Sequence, residues 1–181
     1  MLESKYLKDD MRNIQQLLSI SALKDLEPRD HSRLLRLSKI RKYKDGEVII
    51  EENDNDPWFY FLLSGKCCVR KDGVEIATID EAGDIFGEMS PIDGMGRSGS
   101  VYAMGDTVCL AVDTESKHRL NSEREAVNLL NLLYRAASEF LSARLRLTNE
   151  KLVAAEKEIA RLKAGPAQPR KAQSVPRLRA G

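Results

Sequence analysis

From Tyr43 to Val112 the chain is cut by glycines into short β-prone runs, and this punctuation restricts the fold more than any other feature. The runs are Val48–Ile50, Trp58–Leu63, Cys67–Arg70, Val74–Ile79, Ser100–Met104 and Thr107–Val112, with turn glycines at Gly46, Gly65, Gly73, Gly83 and Gly105. Several short strands within ~70 residues predict a small antiparallel barrel or sandwich. Asp72-Gly73 is the sharpest turn signal, because a two-residue hairpin needs positive φ and both residue types tolerate it.

Helical spacing flanks this region on both sides. Ile14, Leu17, Leu18, Leu34, Leu35, Leu37 and Ile40 recur at helical intervals and predict short amphipathic helices; Pro28 interrupts them, and Asp30 is placed to cap the helix that follows. From Ser122 to Lys163 there is neither glycine nor proline, until Gly165 and Pro166 stop the pattern. A helix that long cannot hide one face on a small barrel along its whole length, so its far end needs another partner. Leu141, Leu145, Thr148, Leu152, Ala155, Ile159 and Leu162 alternate in steps of four and three, a coiled-coil seam. In a parallel homodimer it sets Lys151 against Glu156 and Glu158 against Lys163 of the second copy. The alternative is a single helix folded back on its own domain. The expected organisation is an N-terminal helical segment (1–42), a β-barrel (43–115), a long dimerisation helix (116–163) and a disordered basic tail (164–181).

Composition narrows the class. The chain has 181 residues, 29 basic and 28 acidic, for a net charge of +1, enough for one well-buried core. The longest apolar run, Trp58 to Leu63, is six residues against the ~20 that span a bilayer, and no charged-then-apolar leader opens the chain. These features point to a cytoplasmic protein. Cys67, Cys68 and Cys109 have no spacing that suits zinc or an iron–sulfur cluster and read as small apolar strand residues. His31 and His118 sit in polar helical contexts without a nucleophile or acid pattern around them, so no enzyme is expected. The tail carries Arg170, Lys171, Arg177 and Arg179 without an acid; those charges could touch a partner, or the tail is simply solvated.

The stretch Gly83-Asp84-Ile85-Phe86-Gly87-Glu88-Met89-Ser90, then Pro91 to Gly96, then Arg97-Ser98-Gly99-Ser100-Val101 carries the chemistry. A Gly-Glu pair opening a short helical turn offers free backbone N–H groups to an anion, and an arginine follows on the returning strand. Glu88 would repel a phosphate, so its carboxylate serves a donor instead, and a sugar hydroxyl is the natural one. Phosphate with a sugar hydroxyl means a nucleotide. The same spacing also fits a plain turn with a surface charge.

Taken together, these residues resemble the phosphate-binding cassette of the cyclic-nucleotide-binding domain family. The likeness extends to Lys44-Asp45-Gly46-Glu47-Val48-Ile49 and Leu63-Ser64-Gly65, and covers roughly Leu23 to Leu152. It implies a mainly β fold, an antiparallel double-stranded β-helix or jelly-roll barrel with flanking N-terminal helices and a long C-terminal helix. It also implies a cyclic AMP or cyclic GMP sensor. In that reading Arg97 pairs with the cyclic phosphate and Glu88 with the ribose 2′-hydroxyl. Gly87 lets the backbone approach the ligand, Met89 counts among the ligand-binding residues, and Ser98 hydrogen-bonds a phosphate oxygen. Ala143 to Lys151 resembles the dimer helix of members like the catabolite activator protein, where a Thr-Ser pair closes over the purine; here the pair is Thr148-Asn149. The chain departs from the pattern at Gly96, where many members have proline, and at Gly99 and Ser100, where alanine and threonine are common. Such proteins often continue into a helix-turn-helix, but the 18 residues after Lys163 are too few for one, so no sequence-specific DNA binding is expected. The competing class is a non-binding relative that serves as a dimerisation or docking module.

Overall fold

The structure, a computed structural model, describes residues 1–7, Leu23 and residues 27–163. The chain divides into two compact units, Met1–Phe140 and Leu141–Gly181. In the first unit the elements run β1 (Leu2–Glu3), α1 (Pro28–Leu37), β2 (Ser38–Tyr43), β3 (Val48–Ile50), β4 (Trp58–Lys71), β5 (Val74–Ile79), β6 (Ile85–Phe86), α2 (Met89–Asp93), β7 (Ser100–Asp113) and a 3-10 turn (Lys117–Arg119). α3 (Glu123–Lys163) begins in the first unit and supplies the second. All pairings are antiparallel, in the order β1-β2-β7-β4-β5, with β3 also on β7 and β6 also on β4.

Alternation along the two longest strands builds two cores. Phe59 and Phe61 on β4, with Leu110 and Val112 on β7, face Leu34, Leu35 and Leu37 of α1 and Leu129, Leu133 and Ala137 of α3. The intervening residues Tyr60, Leu62, Cys109 and Ala111 face the other way, into a cluster with Tyr43, Ile50, Cys67, Phe86 and Val101. Each leucine or phenylalanine so enclosed contributes ~1.5 to 3 kcal/mol of transfer free energy, which is what holds α1 and the first turns of α3 to the sheet. The three cysteines are free thiols, all buried on β4 and β7.

Several expectations are corrected. Trp58–Leu63 and Cys67–Arg70 are halves of one fourteen-residue strand, β4, whose register against β7 shifts around Ser64. Ser100–Met104 and Thr107–Val112 likewise form one strand, β7. Ile40 lies on a strand, not a helix: Ser38 ends α1 by donating its hydroxyl to Leu34 O at 2.7 Å, and β2 starts at once. Asp30 is not the cap. Pro28 occupies the first turn, Glu27 is the cap position, and Asp30 inside the helix accepts from Arg33 at 2.6 Å. Proline suits a first turn because its φ is already helical and the missing N–H has no partner there. His31 is buried rather than in a polar setting, with Nε2 3.1 Å from Leu23 O. Ile14, Leu17, Leu18 and the 164–181 tail lie outside the described residues.

The Asp72-Gly73 hairpin forms as expected, with φ of 50° at Asp72 and 78° at Gly73. At the start of α3, Glu125 N–H donates to Ser122 Oγ at 3.2 Å, and the Glu125 carboxylate accepts from Asn121 N–H at 3.2 Å. In the second unit three of the seam leucines are exposed, Leu145 by 61%, Leu152 by 56% and Leu162 by 66%. Glu158 is engaged there by Arg161 of the same helix, at 2.6 Å.

Candidate ligand-binding site

β6 delivers the chain to Gly87, whose φ of 73° is left-handed. A Cβ there would lie 2.8 Å from Ile50 Cδ1, 2.9 Å from Arg97 Nη1 and 3.2 Å from a Tyr60 ring carbon. Glycine is therefore required both for the turn and for the close approach of the arginine. Glu88 takes the cap position of α2 and is only 2% exposed; Gly94, in the left-handed region, ends that helix by donating to Ser90 O at 2.9 Å. The loop then pairs with the segment ahead of β4. Arg97 N–H donates to Asp54 O and Asn53 N–H to Arg97 O, both at 2.9 Å.

Those two backbone bonds direct the Arg97 side chain inward, where it is 3% exposed. Nη1 donates to Gly87 O; Nη2 donates to the Asp56 carboxylate and, at 2.6 Å, to Trp58 O. Nε is buried with no partner among the described residues. A buried donor left unpaired costs ~1 to 3 kcal/mol, and in folded proteins such groups are few. Asp56 neutralises the guanidinium and also accepts from Trp58 N–H at 3.0 Å, so Asp56 to Trp58 is one rigid arm.

The sequence-predicted residues are distributed as follows. Gly87 and Arg97 are in direct contact, and Glu88 is buried next to Gly87 in the chain. Met89 and Ser98 meet at the surface, Ser98 Oγ lying 3.6 Å from Met89 Sδ. Thr148 and Asn149 are exposed residues of the second unit, and the Thr148 hydroxyl donates to Arg144 O at 2.8 Å. Sequence reasoning missed Asp56, Trp58 and Tyr60. The available signal was the acidic run Asn53-Asp54-Asn55-Asp56 just ahead of a strand, a natural counter-charge for a buried arginine. Beside α2 a cavity of about 470 Å³ is lined by Asp56, Ser90, Pro91, Thr114 and Tyr134 among others. Across it the Tyr134 hydroxyl of α3 donates to Pro91 O at 3.2 Å.

Residues 40–123 match the family described as the cyclic nucleotide-binding domain. Over 95 residues the chain is 34% identical to a cAMP-dependent protein kinase regulatory subunit of Debaryomyces hansenii, covering 52% of this chain and 21% of that protein's length. Among solved structures it is similar to a cyclic nucleotide-binding domain from Methylobacillus flagellatus KT, with TM-score 0.67 and 24% identity, covering 80% of this chain and 84% of the other. It is also similar to the Thermus thermophilus catabolite activator protein, with TM-score 0.56 and 26% identity over 75% of this chain and 62% of the other. The fold is the jelly roll of these neighbours, mainly antiparallel β with a C-terminal helix. No helix among the described residues is long and apolar enough to cross a membrane.

Proposed function

We propose that this domain binds a 3′,5′-cyclic nucleotide, cyclic AMP or cyclic GMP, and acts as a sensor rather than an enzyme. The observation that carries the reading is Arg97: an enclosed guanidinium, held by Asp56 and two carbonyls over Gly87, with Nε buried and unpaired among the described residues. A cyclic phosphate is a compact monoanion that an arginine fork recognises well. In this reading Arg97 and Ser98 take the phosphate and Glu88 the ribose 2′-hydroxyl. Gly87 and Met89 form the floor, and Thr148 and Asn149 close on the base. The relation to kinase regulatory subunits supports the ligand class.

The bound state reaches α3 through the Tyr134–Pro91 hydrogen bond, because a cassette that moves on binding must carry or break it. The exposed leucines of the second unit support a homodimer as the output. Replacing Leu152 with lysine is expected to turn a sedimenting dimer into a monomer. A wild-type chain that sediments as a monomer at high concentration sinks the dimer reading.

Thermal melts with cyclic AMP and cyclic GMP test the ligand directly. Ligand at a hundred times its Kd stabilises the native state by ~2.7 kcal/mol, which raises Tm by roughly 5 to 10 °C for a chain of this size. A flat response to both nucleotides at millimolar concentration overturns the sensor reading and favours a docking module.

A further inference from the structure

Arg41 has no evident reason to be where it is. It sits on β2 between Lys39 and Tyr43, yet it is only 9% exposed and reaches two other strands, β1 and β4. Its guanidinium carbon lies 3.9 Å above the Trp58 ring centroid, Nη1 donates to the Tyr60 hydroxyl at 2.6 Å, and Nε donates to the Glu3 carboxylate at 2.6 Å. Glu3 is held in turn by Lys39 at 2.6 Å and by pairing of β1 along the edge of β2. Ser4 N–H to Ile40 O and Leu7 N–H to Ser38 O, both 2.9 Å, continue that pairing.

The two aromatic residues that Arg41 grips are the ones that shape the pocket of Arg97. Trp58 supplies one carbonyl acceptor for Arg97 and is tied to a second acceptor, Asp56. Tyr60 walls the space above Gly87 and stacks on Phe86 at 5.1 Å. Burial pushes the Tyr60 hydroxyl up to about 12, so it stays protonated and accepts from Arg41 as a neutral phenol.

We infer that Arg41 is a positioning residue for the ligand arginine: clamped by Glu3 of the N-terminal strand, it fixes the Asp56–Trp58 arm and Tyr60 so that Arg97 is pre-aimed. A stacked guanidinium with two fixed hydrogen bonds leaves an aromatic pair few ways to move, and a site whose acceptors are preset loses less on binding. The ligand part of this inference rests on the cyclic-nucleotide reading; the positioning part does not.

The experiment uses the full chain with Arg41→Met, which keeps the length of the side chain, and Glu3→Gln, which leaves Arg41 in place should the first variant fail to fold. Two readouts need no ligand: the emission of Trp58, the only tryptophan, and the guanidinium N–H resonances of Arg97. Both are expected to move in either variant while the far-ultraviolet circular dichroism stays that of the parent. Cyclic nucleotide affinity by calorimetry is expected to fall about threefold to tenfold, the range set by one weakened hydrogen bond. Unmoved Arg97 resonances in a folded variant overturn the positioning role whether or not the parent binds nucleotide. Moved resonances with undiminished affinity, in a parent that does bind, overturn it as well. A parent that binds neither nucleotide counts against the sensor reading alone, and the resonances then decide this one.

Discussion

Arg97→Ala is expected to leave no measurable cyclic nucleotide binding at micromolar ligand. Hydrogen bonds to a charged group contribute ~1.5 to 3 kcal/mol each, and a bidentate phosphate contact makes two, so the loss is about 100-fold or more. The structure adds a reason for the loss to exceed that of contacts alone. Arg97 also joins Gly87 O, Asp56 and Trp58 O, and without it the cassette turn and the arm ahead of β4 lose the cation that links them. Arg97→Lys restores a charge but not the fork, since one ammonium cannot meet these acceptors and a phosphate in a fixed geometry. Glu88→Ala should weaken binding less, because a carboxylate on one ribose hydroxyl supplies one contact. Calorimetry on the three variants, with melts run alongside to show that each is folded, checks the order. Unchanged affinity in Arg97→Ala would falsify the site assignment.

What was legible in the sequence divides along physical lines. Val48–Ile50 and Val74–Ile79 were readable to the residue because apolar or β-branched residues dominate them and turns bound them. The cassette was readable because its glycines and Arg97 stand in a fixed order. β2 was not readable, since Lys39, Arg41 and Lys42 obscure its alternation, and the charge that hides the strand is the one that Glu3, Trp58 and Tyr60 neutralise or cover. A strand whose inward arginine is paired through tertiary contacts carries no local hydrophobic period to detect. β6 is two residues long and depends wholly on Tyr60 and Phe61 opposite. Asp56 was missed for a related reason: its role comes from a guanidinium 41 positions later, and the acidic run ahead of β4 does not by itself say which cation it meets. The breaks read at Ser64 and between Met104 and Thr107 were real irregularities wrongly taken as strand ends.

The irregularity at Gly65 carries the largest expected effect on folding. The register of β4 against β7 shifts on both sides of Ser64, which presses the Gly65 backbone onto the neighbouring strand. Gly65 has φ of 91°, and a Cβ there would lie 2.5 Å from Asp106 O and 2.7 Å from Thr107 Cα. Both contacts are backbone, so no side chain can swing away to make room. Thr107, 1% exposed, is itself pinned by donating its hydroxyl to Lys66 O at 2.9 Å. Gly65→Ala therefore adds the left-handed penalty of ~1 to 2 kcal/mol to an overpacking cost of ~1 to 3 kcal/mol. Together they lower Tm by roughly 5 to 15 °C for a chain of this length. Gly46→Ala separates the two costs, because φ there is 75° but a Cβ meets nothing within 4 Å. It is expected to lose only the conformational part, about 1 kcal/mol. Equal melting temperatures for the two variants would show that the strands can part at Gly65. The irregularity would then be a soft joint in the sheet rather than the point that sets the bend of β4.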